Sequence, residues 1–263
     1  MKSLIEPFRN LILFTLAKVI ALVPMRIDGR STITRAEARD VYDGFARKGH
    51  IGGRDASGGY GGPAVSALLT MALFKDATHV FEYGCGQAKL AKLVLADEPA
   101  LRWSCVDQSP EMVALARQAM APYGERFACE LLADGDPLLA NVPPPTVDRF
   151  VSTYVLDLLS EDDMDGVLTL AERCLDPQRG VLLLAGITWG YRDGVKVCFM
   201  TAVWELLYRI RPRTVGGCRP QKLEPYLLAR GWTVESTQRT QPTGFPWMVS
   251  EVVAARPPGW KGA

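Results

Sequence analysis

Acidic residues follow three apolar segments of the chain, where they could bind a small molecule. They are Glu82, Asp107 and Asp134, and Gly84 and Gly86 come directly after the first of them. Glycine lets the backbone approach a ligand closely. An acid at the end of a second strand is placed to accept hydrogen bonds from a ribose diol. The spacing therefore predicts a site for a nucleoside cofactor.

Short apolar segments alternate with helical stretches and would position these residues. Strands are predicted over residues 78–83, 102–107, 126–132, 147–154, 180–187, 232–238 and 247–254, and helices over 88–96, 109–121, 160–174 and 222–230. This alternation is typical of βαβ units. The last two strands lack a long crossover, which favours an antiparallel pair. We predict an α/β fold: a Rossmann-like doubly wound sheet of seven strands, mostly parallel with an antiparallel terminal strand, plus N-terminal helices.

The residue at position 89 distinguishes among nucleoside cofactors. A dinucleotide-binding loop that starts at Gly84 needs a small residue there, and the chain has Lys89. The loop instead reads E-x-G-x-G-x-A and is followed by Asp107 at the end of the next strand. This pattern resembles motif I of the class I S-adenosylmethionine (SAM)-dependent methyltransferases. The resemblance extends over roughly residues 76–256 and includes the five spaced strands and the terminal strand pair.

The resemblance implies a set of cofactor residues. In this part of the chain they are Glu82, Gly84, Cys85, Gly86, Asp107, Gln108, Asp134 and Gly135. The glycine loop would border the methionine end of SAM. Asp107 would bind the ribose hydroxyls, Gln108 would flank the adenine, and Asp134 would bind the adenine amino group. The alternatives are a tight turn without a ligand, an acid at a helix N-terminus for Asp107, and an ordinary turn at Asp134 and Gly135.

The segment after the fourth strand resembles motif IV of the same family, which borders the sulfonium and the acceptor. Thr153 is predicted to contact the cofactor, and Tyr154 and Asp157 are the candidate catalytic residues. Some acceptors must lose a proton, and Tyr154, Asp157 or His50 could take it. The alternative for Asp157 is a cap on the following helix.

A glycine-rich stretch over residues 49–62 precedes the sheet. By the same resemblance, Tyr42 or Tyr60 would line the donor pocket; the alternative is a flexible linker.

The histidines predict no metal site, because His79 lies inside a predicted strand and His79 and His50 are isolated from each other. The six cysteines are scattered and form no C-x-x-C pair. We therefore expect no metal, no disulfide framework, and a reducing intracellular compartment.

Two further segments bear on the acceptor. Residues 11–23 are mostly apolar but too short to span a membrane. Residues 1–24 predict an amphipathic helix in a membrane interface. The alternative is a helix that packs on its own domain or on a second subunit. Residues 188–221 form an insertion between strands with an apolar helix and a basic end. Substrate contacts are predicted for Trp189, Tyr191 and Arg219, and the alternative is a helical lid with a solvated basic end.

Composition limits the function classes. The chain has 263 residues, 48% hydrophobic and 22% charged, with a formal net charge of +1, which excludes collagen, a coiled coil and a disordered tail. Because no protein-wide field exists and motif IV lacks the Asn/Asp-Pro-Pro-aromatic signature used on flipped bases, we expect no nucleic-acid partner. The oligomeric state is not predicted.

The leading hypothesis is a SAM-dependent methyltransferase acting on a hydrophobic or lipid-like small molecule, cytoplasmic and peripheral on the cytoplasmic membrane face. The alternatives are a soluble methyltransferase of a polar metabolite with a dimerising N-terminal helix, and an inactive SAM-fold scaffold. The expected layout is an interfacial helix at 1–24, a helical cap and Gly-rich loop at 25–75, the SAM-binding domain at 76–256 with the lid at 188–221, and a tail at 257–263.

Overall fold

Seven strands form one sheet in the order β3-β2-β1-β4-β5-β7-β6. The computed structural model describes residues 2–22, 26–47, 61–71, 74–132, 147–241 and 247–260. The strands are β1 His79–Tyr83, β2 Arg102–Asp107, β3 Phe127–Leu131, β4 Arg149–Thr153, β5 Val181–Ile187, β6 Thr233–Thr240 and β7 Ser250–Arg256. The first five pair in parallel, and β7 runs antiparallel to both β5 and β6. The predicted fold class, including the antiparallel terminal strand, is confirmed.

Helices cover both faces of the sheet. They are α1 Lys2–Leu22, α2 Arg35–Arg47, α3 Gly61–Thr70, α4 Lys89–Asp97, α5 Pro110–Met120, α6 Glu161–Cys174, α7 Val195–Ile210 and α8 Leu223–Ala229. One hydrophobic core joins the sheet to α3, α4 and α5, and a second joins its other face to α6 and α8. Every residue of β5 is buried, as expected of a central strand covered on both faces.

Two local sequence signals account for helix starts beside the sheet. The Ser109 and Ser160 hydroxyls accept hydrogen bonds from the N–H groups of Met112 and Asp163, each at 3.1 Å. Both serines are therefore N-caps, as predicted. Capping fixes where α5 and α6 begin and so fixes the loops that lead out of β2 and β4.

The N-terminal helix packs on the insertion helix α7. Ala17 is fully buried in a cluster with Trp189, Cys198 and Ala202, and Asn10 is half-buried. The small Ala17 side chain lets α7 approach closely, so this side of α1 is the packed one. The predicted alternative, packing on its own domain, therefore describes one face of α1. Within the described ranges, no helix combines the length and apolar composition needed to cross a membrane.

Candidate functional site

The chain leaving β1 lies against the chain leaving β4, at the place where the strand order reverses. Gly84 has a φ of +77°, and a Cβ built on it would stand 2.3 Å from Cγ2 of Val155. The Ser152 hydroxyl donates to the Tyr83 carbonyl oxygen at 3.0 Å. Ligands of doubly wound sheets bind at this kind of crevice, beyond the carboxyl ends of the strands.

Asp107 closes the glycine loop from the end of β2. Its Oδ2 accepts from the Gly86 N–H at 2.8 Å and its Oδ1 accepts from the Ser109 N–H at 2.9 Å. Burial raises the pKa of Asp107 to about 6. The carboxyl thus holds the loop after β1 and the start of α5 in one arrangement, next to the half-buried Gln108.

Glu82 lies beneath the loop. It is buried, and its Oε2 accepts from the Trp103 indole N–H at 3.1 Å. Burial raises the pKa of Glu82 to about 8. Cys85 follows in the same loop, but its sulfur points into the core and lies 3.7 Å from the sulfur of Cys129. Only the Cys85 backbone can therefore border a ligand in this crevice.

Helix α2 lies over this edge of the sheet. Its Asp43 accepts a hydrogen bond from the Ser109 hydroxyl, and the Tyr42 hydroxyl lies 3.8 Å from the Cys218 sulfur. Burial raises the pKa of Tyr42 well above its ordinary value, and the charges of Asp157 and Asp107 raise it further. The role of Tyr42 in lining the donor pocket stays a prediction.

The segment after β4 is strained and buried. Thr153 ends the strand, and Tyr154 has a φ of +56°, a conformation that bulky residues rarely adopt. Its hydroxyl lies 2.8 Å from Oγ of Ser250. Ala88, at the start of α4, also has a φ of +56°. Both of these left-handed residues flank the crevice, which is where backbone strain tends to concentrate.

Asp157 is buried in the short 3-10 turn Leu156–Leu158. Its Oδ2 accepts from the Ile187 N–H at 3.4 Å, whereas its Oδ1 is buried without a partner among the described atoms. Burial raises the pKa of Asp157 to about 7. It does not cap α6, because Ser160 does. The Asp157 carbonyl oxygen accepts from the Arg219 N–H at 3.0 Å, so the predicted substrate residue Arg219 lies beside it.

The predicted substrate residues Trp189 and Tyr191 lie elsewhere. Their rings stack at 5.4 Å between centroids and pack in the cluster that joins α1 to α7. The structure therefore does not bring them together with Asp107 and Tyr154. Their role in substrate binding stays a prediction.

Four predicted site residues fall outside the part of the chain that the structure describes. They are His50, Tyr60, Asp134 and Gly135. Sequence reasoning also missed two residues of the site. Asp43 contacts the Ser109 N-cap and Cys218 contacts Tyr42, and no local motif marks either residue because each contact joins distant parts of the chain.

The crevice fits a small ligand that carries a ribose. A Cβ built on Gly86 meets no heavy atom within 4 Å, so open space lies above the loop. The carboxyl groups of Asp107 and Glu82 flank that loop. An ammonium group and a ribose diol, both hydrogen-bond donors, suit two carboxyl groups and glycine backbone. This fold and this edge define an α/β domain with a crevice suited to a nucleoside cofactor.

Comparison with known proteins indicates which class of α/β domain this is. Residues 80–178 match the family model for a methyltransferase domain. The human tRNA N(3)-cytidine methyltransferase METTL6 is 31% identical over 106 residues, which cover 39% of this chain and 37% of that enzyme. The chain thus spans little more than a third of this relative.

Solved structures show the same fold. The apo SAM-dependent methyltransferase SibL superposes with a TM-score of 0.56 at 22% identity, over 74% of this chain and 54% of that one. The N-methyltransferase NodS from Bradyrhizobium japonicum WM9, in complex with S-adenosyl-L-homocysteine, superposes with a TM-score of 0.54 at 16% identity, over 74% and 85%. Residues 80–178 thus match a methyltransferase domain, and the chain shares the fold of these SAM-dependent methyltransferases.

Proposed function

We propose that this protein transfers the methyl group of SAM to a small acceptor with an apolar body, at a membrane surface. The observation that carries the acceptor class is the outward face of α1. Its large apolar side chains are solvent-exposed, with exposed fractions of 64% for Leu11, 64% for Ile12, 45% for Leu16, 54% for Val19 and 78% for Leu22. A helix packed on a core by one face normally presents polar residues on the other.

The apolar face continues onto neighbouring elements. The Ile27 N–H donates to the Arg209 carbonyl oxygen, which places Ile27 at the end of α7 beside the exposed Ile210. Exposed apolar patches of this extent mark protein or membrane contacts. We call this surface, made by residues 11, 12, 16, 19, 22, 27 and 210, the α1 apolar face.

Exposed cations border the α1 apolar face. Arg9 and Lys18 lie on α1, and Arg211 and Arg213 follow α7. An anionic bilayer surface attracts such residues at about 1 kcal/mol each. Two other arginines of this region are held within the protein, because Arg209 pairs with Glu205 at 3.0 Å and the Arg219 guanidinium donates to the Leu159 carbonyl oxygen. Arg213 stays exposed and lies 3.9 Å from the exposed Asp40 carboxylate.

The roles of the site residues follow from the crevice. SAM supplies the methyl carbon on a sulfonium, a good leaving group. Asp107 would bind the ribose diol, and Tyr42 would cover the donor. For an acceptor that loses a proton, the unpartnered Oδ1 of Asp157 is the proton acceptor, because a pKa of about 7 suits a base at neutral pH.

The test separates membrane binding from catalysis. Leu16→Glu places a charge on the α1 apolar face, and Leu93→Glu does the same at a leucine of similar exposure on α4, 49% against 45%. We expect the wild type and Leu93→Glu to sediment with vesicles containing phosphatidylserine and Leu16→Glu to stay in the supernatant. Equal sedimentation of all three would contradict the membrane assignment.

Methyl transfer is measured on the same proteins. Radiolabelled SAM is incubated with a cell extract, and organic-soluble, aqueous small-molecule and macromolecular fractions are counted. We expect label in the organic fraction, and less of it with Leu16→Glu and, at limiting SAM, with Asp107→Ala. Label only in the aqueous fraction, with a dimer by light scattering that Leu16→Glu dissociates, would instead support a polar metabolite and a dimerising helix.

A second candidate acceptor is RNA. The 31% identity to the tRNA methyltransferase METTL6 favours it, although the match covers only 39% of this chain. In the same assay this candidate predicts label in the macromolecular fraction that ribonuclease removes. The near-zero net charge and the exposed apolar face support the hydrophobic acceptor over RNA.

A further inference from the structure

Three cysteines from separate parts of the chain meet under the glycine loop. Cys105 on β2 and Cys129 on β3 are register partners on adjacent parallel strands, so their side chains share one face. Cys85 reaches them from the loop after β1. The three buried sulfur atoms all lie within 4.8 Å of one another, and those of Cys85 and Cys129 are 3.7 Å apart.

We propose that Cys85, Cys105 and Cys129 form a binding site for a soft, thiophilic metal ion with three thiolate ligands. Three sulfurs at about 2.3 Å from one ion stand about 4 Å apart, close to the spacing found here. Within the described residues, the group of close metal-ligating side chains contains these three and no fourth. Three soft ligands suit Cu(I), whereas structural zinc sites almost always have four ligands.

The three thiols differ in how readily they ionise. Hydrogen bonds from Cys105 and Cys85 lower the pKa of Cys129, whereas hydrogen bonds within the cluster and burial raise the pKa of Cys85 and Cys105. Binding of Cu(I) replaces three S–H bonds with three S–Cu bonds and releases three protons to solvent, without electron transfer.

A surface cavity gives access to the cluster. It has a volume of about 410 Å³ at the edge of the sheet, beside α5 and β3. Cys129 lines it together with Arg117 and Met120, whose thioether is also a soft ligand. An ion can therefore reach Cys129 without passing through the SAM crevice.

The experiment uses the full chain under anaerobic, reducing conditions. Cu(I) is offered in competition with the chelator bicinchoninate, and thiolate-to-copper absorption is recorded. We expect the wild type to withdraw one equivalent, and Cys105→Ser and Cys105→Ala each to weaken retention at least about 100-fold. The control is Cys174→Ser, which changes a buried cysteine in the core on the other face of the sheet and should retain the ion.

Three results would overturn the site. They are no retention by the wild type, equal retention by both Cys105 variants, or an equal loss in Cys174→Ser. Circular dichroism is recorded for every variant to check that it is folded. Since the readout needs neither SAM nor an acceptor, failure of the metal site leaves the proposed methyl transfer intact, and the reverse also holds.

Discussion

The SAM crevice and the α1 apolar face are built by different kinds of contact. In the crevice, directional hydrogen bonds hold polar groups in place, such as those from the Gly86 and Ser109 N–H groups to Asp107. The α1 apolar face instead depends on the other side of α1, where Ala17 packs on α7 and its neighbours through apolar side chains about 180 residues away along the chain. Apolar contact has no preferred direction, whereas a hydrogen bond fails when a donor moves by an ångström. We therefore expect single substitutions to affect the crevice more than the α1 face.

The largest expected effect is on folding, at Gly84. Gly84→Ala adds a Cβ against Val155 at a φ of +77°, so left-handed strain and a clash combine to lower the free energy of unfolding by about 2–4 kcal/mol. Gly86→Ala is the matched control, because its Cβ meets open space and only about 1 kcal/mol is expected. Urea denaturation measures both.

A double variant identifies the clash. Val155→Ala should recover part of the loss in Gly84→Ala, since it removes the methyl groups that the new Cβ meets. Equal destabilisation by Gly84→Ala and Gly86→Ala would show that the loops after β1 and β4 do not approach as closely as described. The contact between Gly84 and Val155 would then not hold this side of the crevice in place.

The next effect is on SAM binding. Asp107→Ala should weaken the affinity for SAM by about 1.5–3 kcal/mol, roughly 10- to 150-fold, because charge-assisted hydrogen bonds are lost. Titration calorimetry measures it. Leu16→Glu should leave SAM affinity unchanged, and Asp107→Ala should leave vesicle sedimentation unchanged. A change of SAM affinity in Leu16→Glu, or of vesicle sedimentation in Asp107→Ala, would mean that the two regions are coupled.

The smallest effect, counted per pH unit and per group, is a pH dependence of stability without SAM. Burial raises the pKa of Glu82 to about 8, that of Asp157 to about 7 and that of Asp107 to about 6, so these groups hold more protons in the folded chain than in the unfolded chain between pH 5 and 8. Stability is therefore greatest at the acidic end and falls as pH rises through these values, by at most about 1.4 kcal/mol per pH unit for each group. Thermal unfolding across this range measures the slope.

Glu82→Gln should flatten that slope, because it removes one of the three carboxyl groups whose pKa burial raises. The control is Glu130→Gln at an exposed glutamate on β3. A slope that stays the same in Glu82→Gln would contradict the burial of an ionisable carboxyl beneath the glycine loop.

Local signals predicted much of the fold and of the donor side of the site. Strand positions, the Ser109 and Ser160 N-caps and the glycine loop all depend on residues within a few positions of each other. The orientation of α1 was not predictable in this way. Leu11 and Ala17 both suit either face of a helix, and only α7 decides that Ala17 is inside and Leu11 outside.

The sequence by itself determined the alternation of strands and helices and the acid–glycine pattern of the donor loop, because hydrophobic period and turn chemistry are local properties of the chain. Only the tertiary structure decided which distant residues meet. Parallel register brings Cys105 beside Cys129, and the turn after β1 adds Cys85. Contacts across strands depend on register and strand order, which no spacing between these cysteines encodes.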